Sequence, residues 1–172
     1  MSEGERASAS GSVVIRLVGS DDLSFIEPLW LALYEHQKEN GMLIELPVDA
    51  FQRWANSLNP ILGRFGCLFV AADNYELVGF LAGRIRSLPQ YFGGSQVGFI
   101  SEVFVHDSYR SRGIGGKLVA EAVNWFQERD ITRLELQVIA RNESARRLYR
   151  QLGWVEELVQ MVWLPVSHEV KG

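Results

Sequence analysis

The chain is poor in the residues that form disulfides and metal sites. Cys67 is the single cysteine, so no intramolecular disulfide is possible and a reducing compartment is expected. Its apolar neighbours from 68 to 70 favour a buried strand residue over a nucleophile. His36, His106 and His168 are far apart and none has metal-ligand spacing, so the sequence predicts no metal.

Long apolar runs and an excess of basic charge are also missing. No run approaches the length of a membrane span, and the N-terminus lacks the layout of a signal peptide, so we expect a cytoplasmic protein without a membrane partner. Seventeen Lys and Arg against 21 Asp and Glu give a net charge of −4. This balance argues against nucleic acid as a partner and is compatible with a cationic substrate such as an amine.

The 172 residues are enough for one domain with a substantial core. Residues 1–11 are rich in Ser, Gly, Ala and Glu and are interpreted as a disordered tail, which leaves 12–172 as a single domain. Apolar periodicity then predicts alternating strands and helices. The predicted strands are 13–18, 67–72, 77–86, 97–106, 134–138 and 158–164; the predicted helices begin near Ser20, Phe51, Gly113 and Asn142.

This order predicts an α/β fold, a mixed central β-sheet flanked by helices on both faces. Pro28 is expected to kink the first helix or to redefine its start, and residues 73–76 are expected to form a tight hairpin turn. No internal repeat is visible.

The most informative stretch follows the fourth predicted strand. Glycines at the start of a helix leave backbone N–H groups uncovered at the positive end of the helix dipole, where an anion can bind. The segment predicts a phosphate-binding loop, formed by Arg110, Ser111, Arg112, Gly113, Ile114, Gly115 and Gly116.

Other phosphate loops do not fit this segment. A Walker-type loop ending at Lys117 requires glycine at Ser111 and a hydroxyl residue at Leu118. A dinucleotide fingerprint starting at Gly113 requires a small residue at Leu118. The remaining alternative is a helix that begins with glycines and binds no ligand.

A second block, from Asn142 to Trp154, has an Asn, an Ala, a Tyr and a closing Leu, Gly and aromatic residue on one short helix. In order and separation, the two blocks resemble the signatures of the GCN5-related N-acetyltransferases (GNAT superfamily). The resemblance spans residues 13–164 and implies the GNAT-like acyl-CoA N-acyltransferase fold, with acetyl-CoA as cosubstrate.

The resemblance also implies roles for individual residues. Backbone groups of Val103, Phe104 and Val105 would pair with the pantetheine arm, and the loop from Ser111 to Gly116 would hold the pyrophosphate. Tyr149 would hydrogen-bond the coenzyme sulfur and protonate the leaving thiolate; the alternative is a core aromatic residue. Asn142 is either a coenzyme contact or a helix N-cap.

Glu102 is the candidate general base, because acetyl transfer to an amine requires a neutral nitrogen. The other interpretation is a salt-bridged or solvent-facing strand residue. The resemblance assigns the acceptor cleft to the least stereotyped segments. There the chain offers Tyr34, Glu35, His36, Glu39, Glu45, Gln90, Tyr91 and Phe92.

The resemblance implies acetyl-CoA-dependent N-acetylation of a primary amine, by direct attack in a ternary complex. We expect a small-molecule acceptor, with a peptide amine as the other possibility. The alternative function is a non-catalytic acetyl-CoA-binding sensor or scaffold. The apolar final strand, which carries Trp163, would suit a homodimer.

Overall fold

The computed structural model describes residues 12–165 and contains one five-stranded sheet in the order β1-β2-β3-β4-β5. Strands β1 to β4 are antiparallel and β5 is parallel to β4. The strands are β1 (Val14–Leu17), β2 (Gly66–Asp73), β3 (Glu76–Ser87), β4 (Gln96–Val105) and β5 (Leu134–Leu136). The helices are α1 (Glu27–Glu39), α2 (Ala50–Leu58), α3 (Ile114–Gln127) and α4 (Glu143–Gln151).

Local sequence signals account for most of these boundaries. Residues Ser20–Ile26 form a 3₁₀ helix, and α1 begins at Glu27 with Pro28 in its first turn, where a missing N–H is harmless. Asp73 pairs with Glu76 across the predicted hairpin turn, in which Asn74 adopts a φ of 55°. The prediction that Pro28 redefines the start of the first helix is confirmed, and so is the hairpin turn at 73–76.

Side chains of alternate residues on β2 face two separate cores. Leu68 and Val70 pack with α1 and α2 on one face of the sheet. Cys67 and Phe69 pack with α3 on the other face, together with Phe126. The predicted mixed sheet with helices on both faces is therefore confirmed. Cys67 is 1% exposed and burial raises its pKa to about 12, as expected for a structural cysteine.

The predicted final strand at 158–164 is wrong. No residue between Trp154 and Pro165 belongs to a strand, and within residues 12–165 the sheet ends at β5. Val159 and Trp163 are 88% and 84% exposed. The segment has the composition of a strand, but a strand also needs a hydrogen-bonded neighbour, and this segment has none within the described chain. The predicted 1–11 tail and residues 166–172 of the predicted domain lie outside the described residues.

Within residues 12–165, no helix is long and apolar enough to cross a membrane.

Gly98 is placed where β4 and β5 meet, opposite Leu134. A Cβ at this position would lie 2.4 Å from Leu134 Cδ2 and 2.8 Å from Phe126 Cδ1. We expect Gly98→Ala to destabilise the fold by about 1–3 kcal/mol, because both side chains must move. The measurement is the free energy of unfolding in urea. Gly19→Ala is the matched control, since a Cβ there meets no atom within 4 Å and no change is expected. Equal stability of the two variants would contradict this packing.

Candidate active site

The predicted phosphate loop connects β4 to α3. Ser111 and Gly113 have φ angles of 61° and 76°, and no side chain caps the helix at Gly113. The first helical hydrogen bond is from Lys117 N–H to the Gly113 carbonyl, at 3.1 Å. The amides of Ile114, Gly115 and Gly116 therefore precede the helical hydrogen bonds and point out of the helix start. This geometry suits an anion such as a pyrophosphate.

Two arginines hold the loop in shape. Arg110 donates to the Val105 carbonyl at 3.0 Å and pairs with Asp107 at 2.8 Å. Arg112 donates to the Ser108 carbonyl at 2.8 Å. Both side chains therefore bind main-chain carbonyls of the segment that leads into the loop, and the Arg110 charge is paired with Asp107.

The glycines of this loop also allow α4 to approach α3. A Cβ at Gly115 would lie 3.2 Å from Leu148 Cδ2, which is already a tight contact. Asn142 begins α4 as its N-cap, and its side chain accepts a hydrogen bond from Ala145 N–H at 3.1 Å. Tyr149, on α4, is packed against the core that contains α3, and burial raises its pKa to about 12.

Beyond Ile100, no strand within residues 12–165 pairs with β4 on its β5 side. The β4–β5 ladder joins Gly98 to Leu134 and ends at Ile100 and Leu136. His106 N–H donates to the Val78 carbonyl of β3, at 2.8 Å. The backbone N–H and C=O groups of successive strand residues point to opposite neighbours. Those of Phe104 therefore point to β3, like those of His106, whereas those of Val103 and Val105 point to the open side. An extended ligand would meet their backbone groups there.

A β-bulge lies at the start of this open stretch. Ala82 pairs with Glu102 but Gly83 pairs with Ile100, so Ser101 is an extra residue on β4. Glu102 is 6% exposed and is the one buried charged side chain in the part of the chain described. Ser101 donates its hydroxyl hydrogen to the Glu102 carboxylate.

Burial raises the pKa of Glu102 above its usual range, against the opposing effects of Ser101, the Trp54 indole and the Arg84 charge. The Trp54 N–H lies near this carboxylate, yet it forms no hydrogen bond of normal geometry. A carboxylate with a raised pKa accepts a proton more readily near neutral pH. Glu102 is therefore a candidate base, and not a solvent-facing strand residue.

Aromatic side chains from α1 and α2 cover the face of the sheet beside Glu102. Trp30 contacts Tyr34 and Trp54, with ring centroids 4.3 and 5.8 Å apart. Burial, and then the Glu102 charge, raises the pKa of Tyr34 to about 12. The Nε atoms of Trp30, Trp54 and Arg84 are buried without a hydrogen-bond partner in the described chain. Of these three groups, the Trp54 indole and the Arg84 guanidinium lie close enough to Glu102 to affect its carboxylate.

Sequence reasoning named Tyr34 but missed Trp30, Trp54 and Arg84 as site residues. The helical spacing of Trp30 with Tyr34, and of Phe51 with Trp54, was the available signal. The acidic residues expected in the acceptor cleft are already paired: Lys38 contacts Glu35 at 3.7 Å and Glu45 at 3.3 Å, and His36 contacts Glu39 at 3.8 Å. Tyr91 and Phe92 are exposed and stack on each other in a 3₁₀ turn, Gln90–Phe92.

Among residues 12–165, no group of three or more His, Cys, Asp or Glu side chains is placed to hold a metal ion.

Comparison with known proteins relates this geometry to a family. The model of the acetyltransferase (GNAT) family matches residues 29–154. An uncharacterised N-acetyltransferase of Archaeoglobus fulgidus is 30% identical over 135 residues, which are 78% of this chain and 88% of the relative. One of Methanocaldococcus jannaschii is 33% identical over 96 residues, which are 56% of this chain and 42% of the relative. The chain thus spans less than half the length of that second relative.

Solved structures show the same fold. The aminoglycoside N-acetyltransferase AAC(6')-Iy in complex with CoA matches with a TM-score of 0.73 and 19% identity, over 93% of this chain and 99% of that one. Ribosomal-protein-alanine N-acetyltransferase from Brucella melitensis matches with a TM-score of 0.66 and 24% identity, over 89% and 99%. The chain belongs to the GNAT acetyltransferase family and is an acetyl-CoA-dependent N-acetyltransferase.

Proposed function

We propose that this enzyme transfers the acetyl group of acetyl-CoA to the primary amine of a small molecule, by direct attack within a ternary complex. The observation that carries this proposal is a series of main-chain groups that leads from the open side of β4 into the loop: both groups of Val103, the N–H of Val105 (its carbonyl is bound by Arg110), and the amides at the helix start. Val103 and Val105 face the opening beside β5, and the uncovered amides of Ile114 to Gly116 follow. Main-chain groups on an open strand suit the amides of a pantetheine arm, and uncovered amides at a helix start suit a pyrophosphate.

In this proposal the loop from Arg110 to Gly116 holds the pyrophosphate by its amides, with Arg112 supplying positive charge and Arg110, paired with Asp107, keeping the loop in shape. The main chain of Val103 and Val105 orients the pantetheine arm, and one of their N–H groups polarises the thioester carbonyl. Phe104 contributes through its side chain, which is buried beneath the Arg110 guanidinium. Asn142 contributes by fixing the start of α4, whatever further contact its amide makes with the coenzyme.

Glu102 is the proposed base. The substrate ammonium gives a proton to the Glu102 carboxylate, and the neutral nitrogen then attacks the carbonyl carbon as the carbon–sulfur bond breaks. Ser101, by donating to the same carboxylate, fixes its orientation. Burial supplies the raised pKa that this role requires.

Tyr149 is proposed to stabilise the departing thiolate. Its pKa of about 12 keeps the phenol protonated throughout the physiological range. Full proton transfer to a thiolate, whose conjugate acid has a pKa of roughly 8.5, would be uphill. We therefore assign Tyr149 as a hydrogen-bond donor to the sulfur, with solvent completing the protonation.

The acceptor side favours a compact cationic amine. The Glu102 carboxylate lies close to Tyr34 and Trp54, and a negative charge beside aromatic rings would stabilise an alkylammonium. Glu35 and Glu45, which were expected to line the acceptor cleft, are already paired with Lys38. The aminoglycoside enzyme among the structural neighbours acts on small amines, whereas the ribosomal-protein-alanine enzyme acts on a protein; we propose the former class of acceptor.

We also propose that the enzyme works in the cytoplasm. The supporting observation is its single cysteine, Cys67, which is buried and reduced.

The coenzyme site is tested by a pair of glycine variants. Gly113 and Gly63 both have positive φ angles, and a Cβ at either meets no atom within 4 Å. The two positions lie at opposite ends of α3, since Arg129 after that helix donates to the Gly63 carbonyl. Aspartate therefore causes similar backbone strain at both sites, but a carboxylate at Gly113 would repel the pyrophosphate.

We expect Gly113→Asp to weaken acetyl-CoA binding at least roughly 100-fold, equivalent to about 2.8 kcal/mol, and Gly63→Asp to leave it unchanged. The measurement is calorimetric titration with acetyl-CoA, with desulfo-CoA and adenosine 3′,5′-bisphosphate as partial ligands. Equal affinities in both variants would contradict the assigned loop. The binding-competent protein is then assayed against aminoglycosides, polyamines and peptide N-termini; turnover of peptides alone would contradict the small-molecule proposal.

Glu102→Gln tests the proposed base through activity and stability together. We expect the kcat/KM for the amine to fall roughly 10²- to 10⁴-fold, with loss of the rise in rate that accompanies ionisation of Glu102. Because the folded pKa lies above the unfolded one, wild-type stability decreases as pH rises from the unfolded value through the folded value. Glutamine does not ionise, so the variant gains Tm relative to wild type as pH rises.

The measurement is a calorimetric Tm for both proteins at about pH 5 and about pH 8, with the larger gain expected at the higher pH. Glu121→Gln, on the exposed face of α3, is the control for loss of one negative charge. Unchanged activity of Glu102→Gln would exclude Glu102 as the base. A Tm difference between the two proteins that does not vary with pH would show that burial does not raise the pKa of Glu102.

A further inference from the structure

We propose that Arg84 selects the acceptor by binding an anionic group, a carboxylate or a phosphate, on the same small molecule that carries the amine. The inference rests on the acetyl transfer proposed above and narrows its acceptor to compact zwitterions. The observation that carries it is a half-buried guanidinium beside the candidate base, which forms no ion pair with any carboxylate of residues 12–165.

The strand register places Arg84 close to Glu102 on one face of the sheet. Ala82 of β3 pairs with Glu102, and Arg84 follows Ala82 two residues later. Ala82 packs in the core beneath α1 and α2, and strand residues two apart share a face, so Arg84 projects to the same side. Diagonal neighbours on adjacent strands are roughly 7–8 Å apart, so one small molecule can contact both side chains.

The charge of Arg84 acts on the residues that surround the proposed base. Burial raises the pKa of Glu102 and of Tyr34, and the Arg84 charge opposes this rise at both groups. Arg84 therefore lies within electrostatic reach of both, although it forms no salt bridge with Glu102. A cation and an anion held apart in this way can bind the two opposite charges of one zwitterion.

The guanidinium of Arg84 has no partner in the part of the chain that the structure describes. Its Nε atom is enclosed and has no hydrogen-bond partner, whereas Nη1 and Nη2, which also have none, reach the surface. The stem is thus held by packing while the terminal N–H groups remain available. Such a planar fork matches a carboxylate or a phosphate and can donate two parallel hydrogen bonds to it.

Other arginines on this face of the sheet are already satisfied. Arg86, two residues further along β3, pairs with Glu135 and lies 4.2 Å from the centre of the Phe99 ring. Arg133 also contacts Glu135, at 2.7 Å. Within residues 12–165, Arg84 has neither a carboxylate nor an aromatic ring as a partner, so its charge is left for a ligand.

The combination of charges also disfavours polycations. Glu102 and Arg84 together carry no net charge, so a second ammonium group on the acceptor would meet a guanidinium instead of another carboxylate. Glu35 and Glu45 do not compensate, because both are paired with Lys38. An amino acid complements this site, whereas a polyamine does not.

Matched pairs of amines test the inference. L-Phenylalanine with phenethylamine, L-tyrosine with tyramine, and L-lysine with cadaverine differ by one carboxylate; phosphoethanolamine with ethanolamine tests a phosphate. We expect the wild-type kcat/KM to be roughly 10- to 100-fold higher for the anionic member of a pair, and this ratio to fall close to equality in Arg84→Gln. Any effect of the variant on Glu102 applies to both members and cancels in the ratio, as do their different basicities.

Arg86→Gln is the matched control, since it removes one positive charge from the same face of the same strand. Glu135 keeps Arg133 as its partner in this variant, so we expect the wild-type ratio to be retained. Arg84→Lys keeps the charge but loses the planar fork, and it should restore the ratio only partly. Thermal unfolding confirms that each variant is folded.

Binding of product analogues provides a second measurement, which does not depend on the base. We expect the complex with CoA to bind N-acetyl-L-phenylalanine more tightly than N-acetylphenethylamine in calorimetric titration, and Arg84→Gln to lose this preference. Preference for phosphoethanolamine alone would assign phosphate as the anionic group, and preference for the amino acids would assign a carboxylate.

Two different results separate this inference from the proposed function. Turnover of plain amines at least as fast as of their anionic counterparts, with the same ratio in Arg84→Gln, would overturn the role of Arg84 and leave acetyl transfer intact. Acetyl-CoA binding without turnover of any small amine would contradict the proposed function. In that case equal binding of the two product analogues would overturn the anion site as well.

Discussion

The bulge in β4 is the constraint on which the active site depends. With Ser101 inserted opposite β3, the strand bends directly after Ile100, and the parallel ladder to β5 ends at that residue. Within the described chain, the opening leaves the N–H groups of Val103 and Val105 without a partner strand on the β5 side, and β4 then leads directly into the loop of α3. One local irregularity therefore creates the groove for the acetyl donor and directs that groove to the helix start.

The same bulge determines the electrostatics of the site. Glu102 lies beside it, with its carboxylate enclosed by the aromatic residues of α1 and α2 and hydrogen-bonded by Ser101. A buried carboxylate lowers the stability of the fold, and evolution tolerates that where the group is needed for chemistry. The donor groove and Glu102 are thus placed at one point of β4, with Tyr149 on α4 held against the start of α3.

Sequence reasoning succeeded where structure is encoded locally. The loop at Gly113 and the redefined helix at Pro28 follow from backbone preferences of single residues, so both could be predicted. The aromatic wall of Trp30 and Trp54 depends on how α1 and α2 pack over β4, which no local pattern reports. The prediction of a strand at 158–164 was wrong for a related reason. The residues around Trp163 have β-propensity, but a strand must also pair with a sheet edge, which propensity does not supply. The Asn142 cap was predicted as one of two alternatives, and the structure shows it.

The most direct test of the central claim is residue-resolved amide hydrogen exchange of β4, with and without acetyl-CoA. The account predicts that the amides of Val103 and Val105 exchange faster than that of Phe104 in the free protein, because only Phe104 donates toward β3. Acetyl-CoA should then slow exchange at Val103 and Val105 selectively. If all three amides were equally protected without the ligand, or if acetyl-CoA left them unchanged, β4 would not be the open, ligand-binding strand described above.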